Sequence, residues 1–251
     1  MTVRLYAFEC GRMTLATRFL LAGEPGTVTI PVPVFLVVHP RGRLLFDTGL
    51  NTLILSDPAG YLGDRVNDVA VHFEAGETIT SRLALLDLDV SGITHVVNSH
   101  LHLDHAGGNA QLPDAPIYVQ RREWEWALDP QAAGPYEPRD YANGQDFRLI
   151  DGEHDVFGDG SVTCIPTPGH TPGHQSLRVR TGQGEFFLAA DACYMRRTLE
   201  QLHLPEILHD SKRMLETLHE LRRYQAAGAR MVFGHDPVSW QALPRAPRQL
   251  G

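Results

Sequence analysis

The stretch SHLHLDHAGG, residues 99–108, carries more metal-binding side chains than any other part of this sequence. Three histidines and one aspartate fall within six positions, at His100, His102, Asp104 and His105. Imidazole and carboxylate groups are common protein ligands for zinc and related divalent cations. The steps of two, two and one residues do not fit one face of a helix. The pattern therefore predicts a metal site rather than a row of separately solvated histidines.

An extended chain that opens into a turn can bring these four side chains together. His100 and His102 would share one side of a strand end, since successive side chains alternate across a strand. Asp104 and His105 would follow on a turn, where Gly107 and Gly108 permit tight backbone geometry.

Further candidate ligands close later strand-like stretches of the sequence. TPGHTPGH (167–174) supplies His170 and His174, LAAD (188–191) ends on Asp191, and FGHD (233–236) contains His235. An aspartate that closes a run of apolar residues must be paired or bound to a metal, because burying it alone is costly. His174 could either support a ligand or form a local hydrogen bond in the turn. The other candidates are more numerous than the ligands of one tetrahedral zinc. They suit two ions bridged by a carboxylate and a hydroxide: His100, His102, Asp104, His105, His170, Asp191 and His235.

The elements that must position these groups can be predicted from apolar periodicity. Amphipathic stretches predict helices at 76–88, 121–129 and 205–229. Each half of the chain runs through strands, a helix and a further strand, which favours an α/β protein with an αββα four-layer sandwich. No linker shows a shift in composition, so we expect a single domain over 1–251. Strands are predicted at 3–9, 28–39, 43–49, 93–100, 116–120, 161–167, 176–181, 185–191 and 231–236.

Composition limits the classes of partner that this chain would bind. The formal net charge is -8 and no run is rich in lysine or arginine, which argues against a nucleic-acid surface. The first residues do not resemble a secretory signal, and no stretch of about 18 apolar residues predicts a membrane span. Three widely separated cysteines are typical of reduced thiols. We therefore expect a cytoplasmic protein.

Several other residues have a simpler interpretation. Asp47, in FDTG, occurs in one copy only, so we interpret it as a turn aspartate near the site and not as half of an aspartic protease. Cys193 is predicted to be a packed thiol. The remaining histidines are predicted to be ordinary surface or capping groups, with His209 and His219 on the long helix facing water: His39, His72, His95, His154, His203, His209 and His219.

Taken together, HLHLDH, TPGH, a strand-ending aspartate and GHD resemble the metallo-β-lactamase superfamily. The match to this superfamily runs from FDTG to GHD. Within the superfamily, the sequence most closely resembles the N-acyl homoserine lactone lactonases. SHLHLDHAGGN, VQRREWEWAL, TPGHTPGHQSL, DACY and FGHD carry that resemblance. Leu103 departs from some lactonases, which have phenylalanine there. The resemblance implies the metallo-β-lactamase fold and one or two metal ions along one edge of it.

The resemblance also implies roles for individual residues. His100, His102 and His170 would hold one metal, Asp104, His105 and His235 the other, and Asp191 would bridge them. Tyr194 would contact the substrate carbonyl, although without the resemblance we would interpret it as a core aromatic. Asp104 would also deliver a proton to the leaving ring oxygen. Met13 and Phe19 are guesses for the acyl-chain pocket.

The function implied is a metal-dependent hydrolase that opens N-acyl homoserine lactones through a bridging hydroxide, which is quorum quenching. Two divalent ions are expected, zinc first, with iron, cobalt or manganese as alternatives. The partners expected are the lactone and no nucleic acid or membrane, while a homodimer stays open. His105 and Asp191 argue against a true β-lactamase, and the short segment after His235 argues against glyoxalase II. The alternatives are another lactone or thioester hydrolase, a mononuclear-iron sulfur dioxygenase, and a non-catalytic metal-binding module.

Overall fold

The structure is a computed structural model, and it describes residues 2–251. Seven strands form the first sheet in the order β4-β1-β2-β3-β5-β6-β7, and five form the second in the order β12-β11-β10-β9-β8. The strands of the first sheet are β1 (Arg4–Ala16), β2 (Thr27–His39), β3 (Gly42–Phe46), β4 (Val69–His72), β5 (His95–Val97), β6 (Ile117–Gln120) and β7 (Phe147–Ile150). Those of the second are β8 (His154–Asp155), β9 (Val162–Pro166), β10 (Gln175–Thr181), β11 (Gly184–Leu188) and β12 (Arg230–Val232).

Seven α-helices lie among the described residues. They are α1 (Pro58–Leu62), α2 (Ile79–Ala84), α3 (Leu103–Ala106), α4 (Arg121–Ala127), α5 (Arg196–Gln201), α6 (Ser211–Ala226) and α7 (Pro237–Ala242). None of these helices is long and apolar enough to cross a membrane.

The two sheets pack face to face, and helices cover their outer faces. Strand β2 shows why, because its side chains alternate between two cores. Phe35 and Val37 join the core between the sheets, which also takes Val179 and Leu188 from the second sheet. Val34 and Leu36 point outward, into the core that includes Ile79 and Leu83 of α2. On the other side, Leu218 and Leu221 of α6 pack on Phe187 of β11. This is the αββα sandwich that the sequence predicts.

Each predicted strand and helix has a counterpart in the structure, but several short elements were not predicted. Strand β1 continues to Ala16, well beyond the predicted 3–9, and pairs with β4 at its far end. Helix α6 begins at Ser211 rather than 205, because the Asp210 side chain accepts a hydrogen bond from the Arg213 amide and caps it. The four helices that were missed have only four to six residues, and the three strands that were missed have two to four, which is too few to show a clear period. The missed elements are β4, β7, β8, α1, α3, α5 and α7.

Candidate metal centre

The candidate ligands all follow strands whose carboxyl ends meet at one edge of the sandwich. Strands β3 and β5 are parallel, so Asp47 and His100 leave the first sheet on the same side. In the second sheet β11 and β12 are parallel, and β10 is antiparallel to both β9 and β11. His170, Asp191 and His235 therefore emerge at that edge as well.

The segment that follows His100 is helical where the sequence suggested a turn. Leu103–Ala106 forms one turn of α-helix with His102 before it, and Asp104 and His105 lie on this turn. Gly107 is required for close packing and not for unusual backbone angles. Its φ is -58°, and a Cβ there would lie 2.5 Å from the Asn51 amide nitrogen. At Gly108 a Cβ would lie 2.2 Å from the Thr48 carbonyl oxygen.

Three histidines, called here the first group, turn one nitrogen each toward a common point. The His100 Nε2 atom lies 3.0 Å from His102 Nδ1, and His170 Nε2 lies 3.2 Å and 3.0 Å from those two atoms. All three side chains are buried. Burial lowers the pKa of each imidazole, to about 4 for His170, with the neighbouring imidazoles adding to the effect. Neutral imidazoles present lone pairs, so the group suits a cation.

Asp104, His105 and His235 form the second group. Asp104 Oδ2 lies 3.5 Å from the Nε2 atoms of both His105 and His235. Burial alone would lower the pKa of His105, but the carboxylates of Asp104, Asp191 and Asp47 raise it well above its usual value. The pKa of His235 is raised for the same reason, by Asp191 and Asp104. Burial would raise the pKa of Asp104, yet these two imidazoles lower it.

Asp191 lies between the two groups. Its Oδ1 atom is 3.0 Å from His235 Nε2 and 3.3 Å from His105 Nε2. Its Oδ2 atom is 3.4 Å from His170 Nε2 and 3.7 Å from His100 Nε2. One carboxylate therefore faces both groups, as a bridging ligand must.

Two unpartnered atoms test whether the site suits metal ions. His105 Nε2 and Asp191 Oδ1 are buried, and neither has a hydrogen-bond partner among residues 2–251. Buried polar atoms are almost always paired, so these two atoms are suited to bind a cation. In addition, one atom from each member of either group lies within 4.8 Å of the others. Divalent cations fit both groups, and the assignment of individual ligands stays a prediction.

Asp47 and His174 support the ligands from behind. His105 Nδ1 donates to Asp47 Oδ2 at 2.8 Å, which turns the other nitrogen of the ring into the site. Asp47 also accepts from the Ser99 amide and hydroxyl, at 2.7 Å and 2.9 Å. The Asp191 amide donates to His174 Nε2 at 3.1 Å, so Nδ1 carries the proton and faces the Thr167 hydroxyl at 2.8 Å. His174 is thus a supporting residue.

Tyr194 lies beside one histidine of each group. Its hydroxyl lies 3.0 Å from His170 Nδ1, and its ring centroid lies 5.8 Å from that of His235. Burial, together with the carboxylates of Asp191 and Asp104, raises the pKa of this phenol well above its usual value. Tyr194 therefore stays protonated and can donate a hydrogen bond.

A cavity of about 340 Å³ opens directly onto these residues. Met13 and Phe19 line it, where the sequence suggested an acyl-chain pocket. The sequence did not point to several other wall residues. They come from β1 and the turn after it, from β2, from β4 and the segment that leads into it, from the loop after α4 and from the loop before α6: Leu15, Leu20, Ile30, Arg65, Asp68, Val69, Gly134, Pro135 and Ile207. The cavity is mainly apolar, with Arg65 and Asp68 as its charged groups away from the site.

The remaining predictions have mixed outcomes. Cys193 is a packed thiol, as predicted. His209 and His219 are both exposed, as predicted, but only His219 lies on α6. His209 precedes that helix, and its ring contacts Trp126 with centroids 4.7 Å apart. The prediction for His39 was wrong, because its ring is buried, stacks on Phe157 and bonds Asp159 at 2.9 Å.

Comparison with known proteins places this geometry among characterised hydrolases. A family model described as the metallo-beta-lactamase superfamily matches residues 28–235. The N-acyl homoserine lactonase AttM of Azorhizobium caulinodans is 33% identical over 256 residues, which cover 98% of this chain and 97% of that protein. The N-acyl homoserine lactonase AiiA of Bacillus thuringiensis subsp. kurstaki is 30% identical over 242 residues, 94% of either chain.

A solved structure shares the whole fold. It is an N-acyl homoserine lactone hydrolase with the product N-hexanoyl-L-homoserine bound at the catalytic metal centre. Its TM-score is 0.90 at 29% identity, and the match covers 99% of this chain and 100% of the other. The resemblance that the motifs indicated is confirmed, and so is the fold class.

Proposed function

This chain belongs to the metallo-β-lactamase superfamily, and we propose that it hydrolyses the lactone ring of N-acyl homoserine lactones, which is quorum quenching. The observation that carries the proposal is the meeting of two ligand groups, one shared carboxylate and one protonated tyrosine at the end of an apolar cavity. Relatives that match almost the full length of the chain are lactonases, which supports this choice among the hydrolases of the superfamily.

We propose that the first group holds one divalent cation, the second group holds another, and Asp191 is shared. Nitrogen and carboxylate oxygen ligands suit zinc, and also iron, cobalt and manganese. Two such ions would supply electrophilic assistance to the lactone carbonyl and would lower the pKa of a bound water molecule, the nucleophile of the reaction.

The residues of the chain contribute the remaining steps. The Tyr194 hydroxyl donates a hydrogen bond to the carbonyl oxygen as negative charge develops on it. His170 Nδ1 can donate to the oxygen of Tyr194, since its Nε2 faces the first group. This contact leaves the phenol proton free for the substrate.

Asp104 manages the proton in the proposed reaction. Addition of water to the carbonyl carbon releases one proton, which Asp104 takes up at the start. The bond between the carbonyl carbon and the ring oxygen then breaks, and Asp104 passes the proton to that oxygen. The product is an N-acyl homoserine with a free hydroxyl and a carboxylic acid, and the acid then releases its proton to solvent and becomes a carboxylate. The apolar wall formed by Met13, Leu15, Phe19 and Leu20 would hold the acyl chain.

Location and assembly are secondary parts of the proposal. Cys10, Cys164 and Cys193 are buried free thiols, which supports a cytoplasmic location. A homodimer and the absence of nucleic-acid or membrane partners stay predictions.

The test is a proton-release assay with N-hexanoyl and N-decanoyl homoserine lactones, with metal content measured on the same sample. We expect hydrolysis of both lactones and about two metal ions per chain. Chelation should remove the metal ions and abolish hydrolysis. A fully metallated sample that leaves both lactones intact would refute the proposal. Thioester hydrolysis, or oxygen consumption with a persulfide, would then point to the alternative members of this superfamily.

A further inference from the structure

We infer that Glu123, on helix α4, is a positioning residue that fixes the two loops carrying the first histidine group. Its side chain is fully buried, and four hydrogen-bond donors surround its carboxylate. No arginine, lysine or histidine of residues 2–251 forms an ion pair with it. A buried carboxylate without a cationic partner is costly, and here the four hydrogen bonds offset that cost. The segments that supply these donors are therefore tied to Glu123.

One carboxylate oxygen holds the His100–His102 loop. The Leu101 amide, between these two histidines, donates to Glu123 Oε1 at 3.1 Å. The Tyr136 hydroxyl donates to the same oxygen at 2.8 Å, and its ring packs on His102 with centroids 4.5 Å apart. Glu123 therefore constrains this loop through its backbone and through the ring that supports His102.

The other carboxylate oxygen holds the loop of His170. The Thr171 hydroxyl donates to Glu123 Oε2 at 2.6 Å, and the Gly173 amide donates at 3.2 Å. Gly173 can approach this closely because it lacks a Cβ, which would lie 2.0 Å from the backbone nitrogen of Glu123. One carboxylate thus joins two loops that lie about seventy residues apart in the sequence.

The second group makes no contact with this carboxylate. His105 is oriented by Asp47, and His235 Nδ1 donates to the Pro31 carbonyl at 2.8 Å. A change at Glu123 should therefore disturb the cation of the first group selectively. This inference rests on the proposed function only through the assignment of metal ligands, and metal binding can be measured without a lactone.

Glutamine at position 123 is a sharp probe, because it keeps the size of the side chain but replaces one oxygen with an NH₂ group. In the wild-type protein, each carboxylate oxygen of Glu123 accepts one hydrogen bond from a backbone amide and one from a hydroxyl. A hydroxyl can rotate and accept from the NH₂ group, but a backbone amide cannot. In either orientation of the glutamine, its NH₂ group therefore faces the backbone amide of Leu101 or of Gly173, and two donors then lie against each other.

The experiment compares zinc binding to the wild-type protein and to Glu123→Gln. Chelator competition gives both dissociation constants in solution, and anomalous scattering from crystals grown at limiting zinc gives the occupancy of each group. We expect Glu123→Gln to weaken zinc binding by the first group about 10- to 100-fold and to leave the second group unchanged. Thermal unfolding of the metal-free protein is measured in parallel, since a merely structural role would lower stability and leave both constants unchanged.

Two milder variants keep the test decisive if Glu123→Gln does not fold. Thr171→Val and Tyr136→Phe each remove one donor, and we expect each to weaken zinc binding by the first group about 10-fold. Asp140→Asn is the matched control, because Asp140 is also fully buried but accepts from Asn51 and Tyr61 instead of the two loops. Unchanged zinc binding in all folded variants, or equal weakening at both groups, would overturn the inference. Lactone hydrolysis by the wild-type protein tests the proposed function separately.

Discussion

The two ligand groups of this site are held in place by different kinds of partner. In the second group an ionised side chain acts directly on a ligand, because Asp47 accepts from His105 Nδ1 at 2.8 Å. In the first group, besides the shared Asp191, the supporting carboxylate is Glu123, which accepts hydrogen bonds from the loops that carry the histidines and not from the histidines themselves. Lowered imidazole pKa values mark the first group, and raised ones the histidines of the second.

This difference follows from where each group lies in the fold. In the second group, Asp104, Asp191 and Asp47 lie around His105, and their charges raise its imidazole pKa in spite of its burial. The first group consists of imidazoles close to one another, where burial and mutual repulsion both disfavour a proton. One half of the site is therefore organised by charge, and the other half by the shape of its loops.

The largest effect should come from the residue that the two groups share. Asp191→Asn replaces a carboxylate that faces His105 and His235 on one side and His100 and His170 on the other. We expect kcat/KM for N-hexanoyl homoserine lactone to fall at least about 1,000-fold, roughly 4 kcal/mol, and metal content to fall with it. Retention of two ions and of near wild-type turnover would show that the two groups do not depend on Asp191.

A smaller effect is expected at Tyr194, which lies beside both groups but belongs to neither. Tyr194→Phe removes the hydroxyl near His170 and keeps the ring next to His235. Loss of one donor to a developing oxyanion should lower kcat about 100-fold, with two metal ions retained. Steady-state kinetics on short and long acyl chains would measure this. Full activity on every chain length would exclude the role assigned to Tyr194.

Asp47→Asn probes the half that is organised by charge. The φ of Asp47 is +62°, a left-handed conformation that asparagine tolerates, so the backbone should not change. The amide can satisfy Ser99 or His105 but not both, and we expect zinc binding by the second group to weaken about 10- to 100-fold. Site occupancies in crystals at limiting zinc would report this. An equal loss at the first group would remove the distinction between the two halves.

The smallest effect on zinc binding and turnover is expected at Asp140, a buried carboxylate outside both groups. Burial raises its pKa to about 6, although Tyr61 and Asn51 donate to it and lower the value. A raised acid pKa contributes stability below the unfolded value near 4, and that contribution is lost as pH rises through about 6. The stability of Asp140→Asn relative to wild type should therefore increase by about 2 to 3 kcal/mol from pH 4 to pH 7.

Denaturant unfolding at several pH values would check the prediction for Asp140. Zinc affinity and lactone turnover, measured on the same samples, should stay at wild-type values. A stability difference that does not change with pH would show that Asp140 remains ionised throughout this range.

Much of the fold and of the candidate site could be predicted because the informative residues are local in sequence. The strands β2, β3, β6 and β9 to β11 have apolar patterns that can be recognised in the sequence. The HLHLDH, TPGH and GHD segments contain most of the candidate metal ligands. The short helices carried no such pattern. Helix α3 is a single turn, stabilised by contacts of Gly107 and Gly108 with residues 48–51, which no local rule predicts.

Residue types and their spacing were enough to predict which side chains could bind metal, because spacing within a loop limits what the loop can reach. How those side chains are held depends on the packing of distant segments. Glu123 lies in a segment whose pattern is typical of an ordinary amphipathic helix. The neighbouring residues in the sequence do not indicate that the Leu101 and Gly173 amides bind its carboxylate. Contacts between distant segments depend on how sheets and loops pack, and burial then sets the pKa of each group that they enclose.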